Sequence, residues 1–324
     1  MTVIEPTVAQ HSAWMPDVLE GCERCIITMP PAADGPVEIV LVRRRSSLTT
    51  DAGVLYVHGF VDYFFQTHLA DFYEQQGLRF YAVDLRRHGR SLRPHQFPNH
   101  TVDIDEYLAD VAAAVDAVRA DGVGWLLLNG HSTGGLVAAL FAHRALGRRG
   151  VDAVFLNSPF LDMNVPAWQS RVLEPLLVGL GRIAPNLKLP ALSSLYGDSI
   201  HASRRGEWDY DLAWKPLEGF PARAGWLRAI HRAHSEVAHG LHIEQPVLLA
   251  HAQRSAWPKQ WSDDCQRADI VLDVADMTRL GPALGSRVEL VSIVDGMHDL
   301  VLSNAAARAE TFTALSNWLA RVRS

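Results

Sequence analysis

The sequence predicts an α/β protein built on a mostly parallel sheet with helices on both faces. Short, almost continuously apolar runs alternate with helical patterns along the 324 residues, as expected for parallel strands covered on both sides. Hydrophobic residues make up 48% of the chain and charged residues 20%, which is enough apolar material for a globular core. The alternation stops after about residue 160 and resumes near residue 245, which indicates one sheet interrupted by an insertion.

A hairpin begins the predicted sheet. Its strands are RCIITMP and VEIVLVRRR, and the proline and glycine residues of PPAADGP between them are typical of a turn. Six buried strands follow along the chain, namely GVLYVHG, LRFYAVDLR, WLLLNG, VDAVFLNSP, QPVLLAHA and RVELVSIVDG. Helical patterns accompany them at 65–77, 103–120 and 135–146, and a last helix, AAARAETFTALSNWLARV, closes the chain. This order predicts right-handed crossovers between parallel strands.

Two domains are predicted, a core at 1–159 and 245–324 and an inserted cap at 160–244. The insertion is rich in tryptophan, histidine, proline and glycine and contains no clear buried strand. It follows the VFLNSP strand, and parallel sheets bind ligands at the carboxyl ends of their strands, so we expect the cap to cover that edge as a lid. Its tryptophans either face an apolar acyl group or fill the cap's own core: Trp168, Trp208, Trp214 and Trp226.

Ser132 stands in a Gly-x-Ser-x-Gly pattern between a buried strand and a small-residue helix. A very tight turn there requires glycine at positions 130 and 134, because side chains would clash with the neighbouring backbone. Such a turn exposes the hydroxyl at the top of the sheet and directs the N–H of Thr133 towards an oxyanion. The pattern alone is common, and a serine that only caps the next helix is the alternative.

The strand that ends at His58 supplies a second candidate amide donor. Gly59 would let the backbone turn so that the N–H of Phe60 faces the same oxyanion as Thr133. A plain strand-to-helix turn is the alternative. We expect His58 itself to hydrogen-bond the loop rather than to transfer protons.

His298 is the predicted general base. It follows a strand and a glycine turn in VSIVDGMHDLVLS, which puts its imidazole at the same sheet edge as Ser132. There it can take the hydroxyl proton and return it to the leaving group. Asp295 and Asp299 flank the histidine, and we interpret both as solvated loop charges or turn residues.

The acid of the triad should follow the PVLLAHA strand and precede the histidine in the chain. A few residues beyond that strand, where a carboxylate is usual, the sequence has Ser255. Asp269 is preferred because one helix and one strand fit between it and His298. Asp273 is the second candidate and Asp264 the third.

In this order, the segments HGF, VDLRRHGRS, GHSTGG, ADIVLD and GMHD resemble the α/β-hydrolase superfamily. Within it they resemble the group of monoglyceride lipases, lysophospholipases and serine aminopeptidases. The resemblance covers most of 25–159 and 245–322, whereas the cap matches only in position. It implies an eight-stranded, mostly parallel sheet with the second strand antiparallel and a cap after the sixth strand.

For the site, the resemblance implies that Ser132 is the nucleophile, His298 the base, and Phe60 and Thr133 the oxyanion donors. It also supports Asp269, because ADIVLD is similar to the family's acid motif. The chain departs from the family by inserting QRSAWPKQWSDDCQR between the strand and this acid. The RRHGRS segment matches a loop that packs beside the oxyanion turn, which implies a structural role for His88 and Gly89.

These features predict a serine hydrolase that cleaves carboxylic esters with an apolar acyl group through an acyl-enzyme. Monoacylglycerols, lysophospholipids and other carboxylic esters are the substrates considered. A serine aminopeptidase or amidase is one alternative, and its α-ammonium site would use acidic residues of the cap: Glu207, Asp209, Asp211 or Glu236. A non-catalytic ligand-binding protein of the same fold is the other. No cofactor or metal is expected, although the cap contains a histidine cluster: His231, His234, His239 and His242.

Charge and composition predict which classes of partner and which compartment suit the protein. A net charge of −6 without a basic patch predicts no nucleic-acid partner. The first residues lack the pattern of a signal peptide and no apolar stretch reaches about 20 residues, so we expect a cytoplasmic protein. The three cysteines, Cys22, Cys25 and Cys265, are expected to be reduced thiols. The apolar stretch 172–184 would allow transient contact between the cap and a membrane surface, although a buried cap helix is favoured.

Overall fold

The computed structural model describes residues 11–144, 150–163, 179–189 and 193–324. Its strands form one nine-stranded sheet and are β1 Met15–Pro16, β2 Cys22–Ala32, β3 Gly35–Arg44, β4 Ala52–Val57, β5 Arg79–Asp84, β6 Trp125–His131, β7 Ala153–Asn157, β8 Val247–Ala252 and β9 Val288–Ile293. The order across the sheet is β1-β2-β3-β5-β4-β6-β7-β8-β9. All eight predicted strands are therefore confirmed, with shorter bounds than the apolar runs in most cases.

The sheet is mostly parallel, as predicted. Strands β5, β4, β6, β7, β8 and β9 run parallel to one another, and β3 is antiparallel to both of its neighbours. The count of eight strands needs a correction. A two-residue strand precedes the predicted hairpin, because Met15 pairs with Arg24 and Pro16 with Glu23 at the sheet's edge.

Helices lie on both faces of this sheet. They are α1 Thr67–Gln75, α2 Ile104–Ala120, α3 Thr133–Arg144, α4 Leu195–Ile200, α5 Ala224–Ala238, α6 Val274–Leu280 and α7 Ala305–Val322. Buried hydrophobic residues of α1 and α7 belong to one cluster, and buried hydrophobic residues of α2, α3, α5 and α6 belong to another. The sheet separates the two clusters, since β4, β7 and β8 are buried along their whole length, β6 is buried after Trp125, and all four contribute side chains to both clusters.

The start of two helices follows from the local sequence. The carboxylate of Asp103 accepts a hydrogen bond from the N–H of Asp105 and caps α2. The side chain of Asn304 accepts from Ala306 and Ala307 and caps α7 in the same way. The predicted helix at 135–146 starts two residues earlier, at Thr133, and its last two positions lie outside the described residues.

The insertion between β7 and β8 contains α4 and α5 and, in its described part, no strand longer than a single bridge. Helix α5 buries an apolar face formed by Trp226, Ile230, Ala233 and Val237 against the core. Trp168 and most of the apolar stretch 172–184 lie outside the described residues. The domain boundaries stay a prediction. Across the described ranges, no helix combines the length and hydropathy needed to span a membrane.

Candidate active site

Ser132 is the single residue between the end of β6 and the start of α3. Its φ of +53° lies in the left-handed region, which costs free energy for a residue with a side chain and persists only where the surroundings enforce it. Four backbone hydrogen bonds hold it there, one of them from the Leu136 N–H to the Ser132 carbonyl at 3.1 Å. The Ser132 N–H donates to the Asn157 carbonyl at 3.0 Å, and the Ser132 carbonyl accepts from Gly135 at 2.9 Å and Phe160 at 3.0 Å.

The two glycines around this turn have no room for a side chain, as predicted. A Cβ atom on Gly130 would lie 2.3 Å from the Gly134 carbonyl oxygen. A Cβ atom on Gly134 would lie 2.3 Å from the carbonyl oxygens of both Val57 and His58. These neighbours are backbone atoms of the first turn of α3 and of the end of β4, so neither can move aside without disturbing the packed elements.

His298 lies between Ser132 and Asp269. Its Nε2 is 3.0 Å from the Ser132 Oγ, and its Nδ1 is 2.9 Å from an Oδ of Asp269. Because a carboxylate only accepts, Nδ1 carries the proton and Nε2 accepts from the hydroxyl. All three side chains are buried, with 8% of Ser132, 3% of His298 and none of Asp269 exposed. The structure thus brings together the serine, the histidine and the preferred acid.

Asp269 is held by backbone amides. Its other carboxylate oxygen accepts from the N–H groups of Val271 and Leu272, each at 2.8 Å. The other two candidate acids lie elsewhere. Asp273 caps α6 by accepting from Ala275, and exposed Asp264 forms an ion pair with Arg254 at 2.6 Å.

The loop after β4 lies against the serine turn. A Cβ atom on Gly59 would be 3.1 Å from the Ser132 Cβ, so a side chain there would press on the serine turn. Among the loop and turn hydrogen bonds of the described chain, none uses the N–H of Phe60 or Thr133. Thr133 is also the first residue of α3, where the helix N-terminus favours negative charge. Both amides are therefore available to an anion.

His58 and the RRHGRS segment have structural roles, as predicted. The Nε2 of buried His58 accepts from the Leu85 N–H at 3.0 Å, so its Nδ1 donates to the Gly59 carbonyl at 2.8 Å. His88 packs against the His58 ring at 4.8 Å between centroids. The arginines of this segment form ion pairs with acidic residues: Arg86 with Asp110, Arg87 with Asp34, and Arg90 with Asp17 and Asp84.

Of the two interpretations of Asp299, the solvated loop charge is wrong and the turn residue is confirmed, because its carboxylate caps the short 3-10 turn Leu300–Leu302. Asp299 is 1% exposed, and its carboxylate accepts from the Asn157 side chain at 2.7 Å and the Val301 N–H at 3.2 Å. The second oxygen lies 4.0 Å from the Nε2 of His131. Burial lowers the pKa of His131, which favours a neutral imidazole beside the His298 ring. The interpretation of Asp295 was correct, since 45% of its side chain is exposed.

Aromatic residues of the insertion contact both halves of the site. The Trp226 ring packs on Phe60 at 4.2 Å, and the Tyr196 ring meets His298 edge-on at 5.6 Å between centroids. The Tyr196 hydroxyl and the Trp226 indole N–H are buried without a hydrogen-bond partner. Trp208 and Trp214 pack on core residues instead, against His68 and Tyr63. Of the predicted tryptophans that the structure describes, Trp226 is the one beside the candidate oxyanion amides.

The insertion's other candidate groups have partners away from Ser132. Glu207 forms an ion pair with Arg308, and Glu236 pairs with Arg144. Asp209 is 95% exposed, and the Asp211 carboxylate accepts from the Ala213 N–H. The histidines do not converge: His234 bonds the Phe160 carbonyl, His239 the Ser235 carbonyl, and the His242 N–H donates to His143. No three metal-ligating side chains meet within the described ranges.

One buried ion pair at the site was missed by the sequence reasoning. Lys215 of the insertion is bonded at 2.8 Å to Asp62, two residues beyond Phe60, and both are less than a tenth exposed. The pairing joins distant parts of the chain and has no local pattern. The only signal in the sequence was an aspartate two residues beyond Phe60, in the predicted strand-to-helix loop.

The sheet order and the serine at the β6–α3 turn define an α/β-hydrolase. The family model described as serine aminopeptidase, S33, matches residues 49–256, more than half of the chain, and the chain belongs to that family. The predicted resemblance to the monoglyceride-lipase-like group of α/β-hydrolases is confirmed. No curated protein matches the chain.

Solved structures share this fold. A monoglyceride lipase from Saccharomyces cerevisiae, crystallised with a substrate analog, has a TM-score of 0.65 at 16% identity, covering 99% of this chain and 98% of that one. The monoacylglycerol lipase of Paleococcus ferrophilus has a TM-score of 0.63 at 19% identity, covering 83% and 94%. A thermophilic esterase from Thermogutta terrifontis has a TM-score of 0.57 at 20% identity, covering 92% and 99%. At these identities the likeness concerns the fold.

Proposed function

We propose that this protein is a serine hydrolase that cleaves carboxylic esters with an apolar acyl group through an acyl-enzyme. One observation carries the proposal. His298 lies within hydrogen-bond distance of both Ser132 and Asp269, and the serine stands at an enforced left-handed turn. A serine that only capped α3 would need neither partner.

In the proposed mechanism, the Ser132 Oγ attacks the ester carbonyl while His298 Nε2 takes its proton. Asp269 fixes the imidazole in the required tautomer and stabilises the imidazolium. The amides of Phe60 and Thr133 bind the developing oxyanion, each contributing about 3 kcal/mol. His298 then protonates the leaving alcohol, and a water that it activates hydrolyses the acyl-enzyme.

Ester cleavage is preferred over aminopeptidase activity, although the family is described by the latter. An α-ammonium would need an unpaired carboxylate close to Ser132. Glu207 and Glu236 are bound to arginines, and the buried carboxylates of Asp62 and Asp299 accept hydrogen bonds from Lys215 and Asn157. The non-catalytic alternative is disfavoured because such a protein would not need an aligned histidine and acid.

The apolar acyl group is proposed from the surroundings of the oxyanion turn. Phe60 and Trp226 stack beside it, and Phe160 donates its N–H to the Ser132 carbonyl. The structural neighbours include a monoglyceride lipase, a monoacylglycerol lipase and an esterase, which agrees with monoacylglycerols or other carboxylic esters as substrates. No cofactor is required by this mechanism.

Three broader expectations are proposals that accompany this one. The insertion acts as a cap over the site, as its contacts with Phe60 and His298 support. It contacts membrane surfaces transiently when it takes up a lipid substrate. The protein works in a reducing compartment such as the cytoplasm, which agrees with three cysteines that are all free and buried.

The test is Ser132→Ala with p-nitrophenyl esters of increasing acyl length. The variant should lose more than 99% of the turnover while its urea unfolding curve stays within about 0.5 kcal/mol of wild type, because the substitution removes one hydroxyl. Matched aminoacyl p-nitroanilides should be cleaved far more slowly by the wild type. Retained esterase activity in Ser132→Ala, or faster cleavage of the anilides, would contradict the proposal.

A further inference from the structure

We propose that Lys215, contributed by the insertion, is a positioning residue for the oxyanion turn Phe60–Val61–Asp62. The inference rests on the proposed function and adds a residue to it. The insertion would then not only cover the site but also complete it, because the turn that supplies one oxyanion amide is fastened by a side chain from outside the core.

The backbone of the turn is strained, so contacts from neighbouring residues must stabilise it. Val61 has a φ of +50°, in the left-handed region that β-branched residues rarely adopt. Such a conformation costs about 1–3 kcal/mol and persists only where neighbouring groups determine it. Val61 directly follows Phe60, so a relaxation of its backbone would turn the preceding peptide units, including the amide proposed to bind the oxyanion.

Lys215 bonds the turn at two points. Its Nζ donates to an Oδ of Asp62 at 2.8 Å and to the Val61 carbonyl at 3.4 Å. The ammonium also lies 5.7–6.0 Å from three ring centroids, those of Phe65, Tyr196 and Tyr210. These rings attract the cation and keep water away, so the two bonds act in a low-dielectric setting.

Other residues of the insertion contact the remaining parts of the turn. The Trp226 ring packs on the Phe60 ring at a tilt of 34°, with 4.2 Å between centroids, and Gly219 lies beside Val61, since a Cβ there would be 3.7 Å from a Val61 methyl group. Each of the three turn residues is thus touched by the insertion. Among these contacts, Lys215 is the charged one, and it bonds both the backbone carbonyl of Val61 and the side chain of Asp62.

The charge balance of the pair supports this role. Burial alone would raise the pKa of Asp62, but the charge and the hydrogen bond of Lys215 oppose it, and the pKa lies below its ordinary value. The carboxylate is therefore ionised near neutral pH. Because it is 2% exposed, it requires a permanent cation, and Lys215 provides one.

The experiment compares Lys215→Met with the double variant Asp62→Asn/Lys215→Met, which removes both buried charges. Exposed Lys188 of the same insertion provides the matched control, Lys188→Met. Each variant is assayed for kcat and KM on p-nitrophenyl butyrate. The inhibition constants of an alkyl boronic acid, which forms a tetrahedral adduct, and of the ether analogue of the substrate, which has no carbonyl, are also measured. Urea unfolding reports the fold.

Misplacement of one oxyanion donor should lower kcat about 10- to 100-fold in Lys215→Met, with KM changed by less than about 3-fold. The affinity for the boronic acid should fall by a similar factor, while the affinity for the ether stays the same. The double variant should unfold at a higher urea concentration than Lys215→Met, but its kcat should stay below that of wild type. If Lys215→Met does not fold, the double variant alone carries the test.

A kcat no lower than that of Lys188→Met would overturn the inference. So would full recovery of kcat in the double variant, which would mean that only an unpaired charge mattered, or a raised KM with kcat unchanged. The proposed function fails separately. If wild type itself shows no Ser132-dependent turnover, the hydrolase proposal falls, whereas wild-type turnover with an unaffected Lys215→Met removes only the role of Lys215.

Discussion

The backbones of Ser255 and Asp269 meet in a single parallel bridge beyond the end of β8. The Ala256 N–H donates to the Asp269 carbonyl at 2.9 Å, and the Asp269 N–H donates to the Arg254 carbonyl at 3.0 Å. The intervening loop therefore starts and ends at the same place. Its return delivers a carboxylate to the position beside His298 although the chain has a serine directly after the strand.

This bridge predicts which of the three aspartates supports the reaction. Asp269→Asn should lower kcat about 10³- to 10⁴-fold, because the amide offers the imidazole a donor and favours the wrong tautomer. Asp273→Asn is the matched control, since asparagine also caps a helix and α6 should form unchanged. The measurement is steady-state kinetics on p-nitrophenyl butyrate. Equal losses in both variants, or a larger loss in Asp273→Asn, would reassign the acid.

The glycine at position 134 predicts a stability effect. Gly134→Ala should reduce the free energy of unfolding by about 3 kcal/mol or more and abolish activity, because the added methyl group meets two backbone carbonyls. Gly150→Ala is the control, since nothing lies within 4 Å of a Cβ there and the change should stay within about 0.5 kcal/mol. Urea unfolding measures both. A Gly134→Ala protein with wild-type stability would mean that the turn is looser than described.

The two aspartates that flank His298 should respond differently to the same substitution. Asp299→Asn should cost about 2 kcal/mol of stability, because the amide oxygen can keep the bonds from Asn157 and Val301 but the new NH2 group then faces the Gln66 side-chain donor at the other oxygen position. Asp295→Asn should be close to neutral, since Asp295 is exposed and asparagine tolerates its φ of +52°. Thermal and urea unfolding of the pair decide the matter. Equal stabilities of Asp299→Asn and Asp295→Asn would mean that the Asp299 carboxylate is solvated like that of Asp295.

Two buried histidines predict how stability depends on pH. Burial lowers the pKa of both His100 and His234 to about 4, whereas an unfolded histidine titrates near about 6.5. Below about pH 6.5 these histidines are protonated in the unfolded chain but stay neutral in the folded protein. The free energy of unfolding therefore falls as the pH falls. Between pH 7 and pH 5, each of the two histidines should lower the free energy of unfolding by about 2 kcal/mol.

The contribution of one of these groups can be isolated with His234→Gln. Glutamine at this position cannot titrate. The free energy of unfolding of the variant should therefore fall by about 2 kcal/mol less between pH 7 and pH 5 than that of wild type. Urea unfolding at several pH values supplies the curves. A variant whose curve runs parallel to that of wild type would show that His234 accepts its proton in the folded state.

The sequence predicted those parts of the fold and site that depend on local patterns. The buried strands have continuous apolar runs, and Ser132 and His298 stand in short motifs at strand ends. Helix α5 also had a local signal, since Trp226, Ile230, Ala233 and Val237 repeat at helical spacing.

The remainder depends on long-range contacts. Asp269 reaches His298 only because a loop returns to Ser255, and Lys215 meets Asp62 across the boundary between the insertion and the core. The burial of Asp299 was not predicted, because nothing near it in the chain indicates that Asn157 donates a hydrogen bond to its carboxylate. Hydrogen bonds between distant segments leave no periodic trace in the sequence.

The central claim is that Ser132 is a nucleophile activated by His298. The most direct measurement is intact-mass and peptide mapping after reaction with a fluorophosphonate, using wild type, Ser132→Ala and His298→Ala. We expect wild type to gain one phosphonyl group on the peptide that contains Ser132, Ser132→Ala to gain none, and His298→Ala to react at least about 100-fold more slowly. An unlabelled wild type, or equally fast labelling in His298→Ala, would contradict the claim.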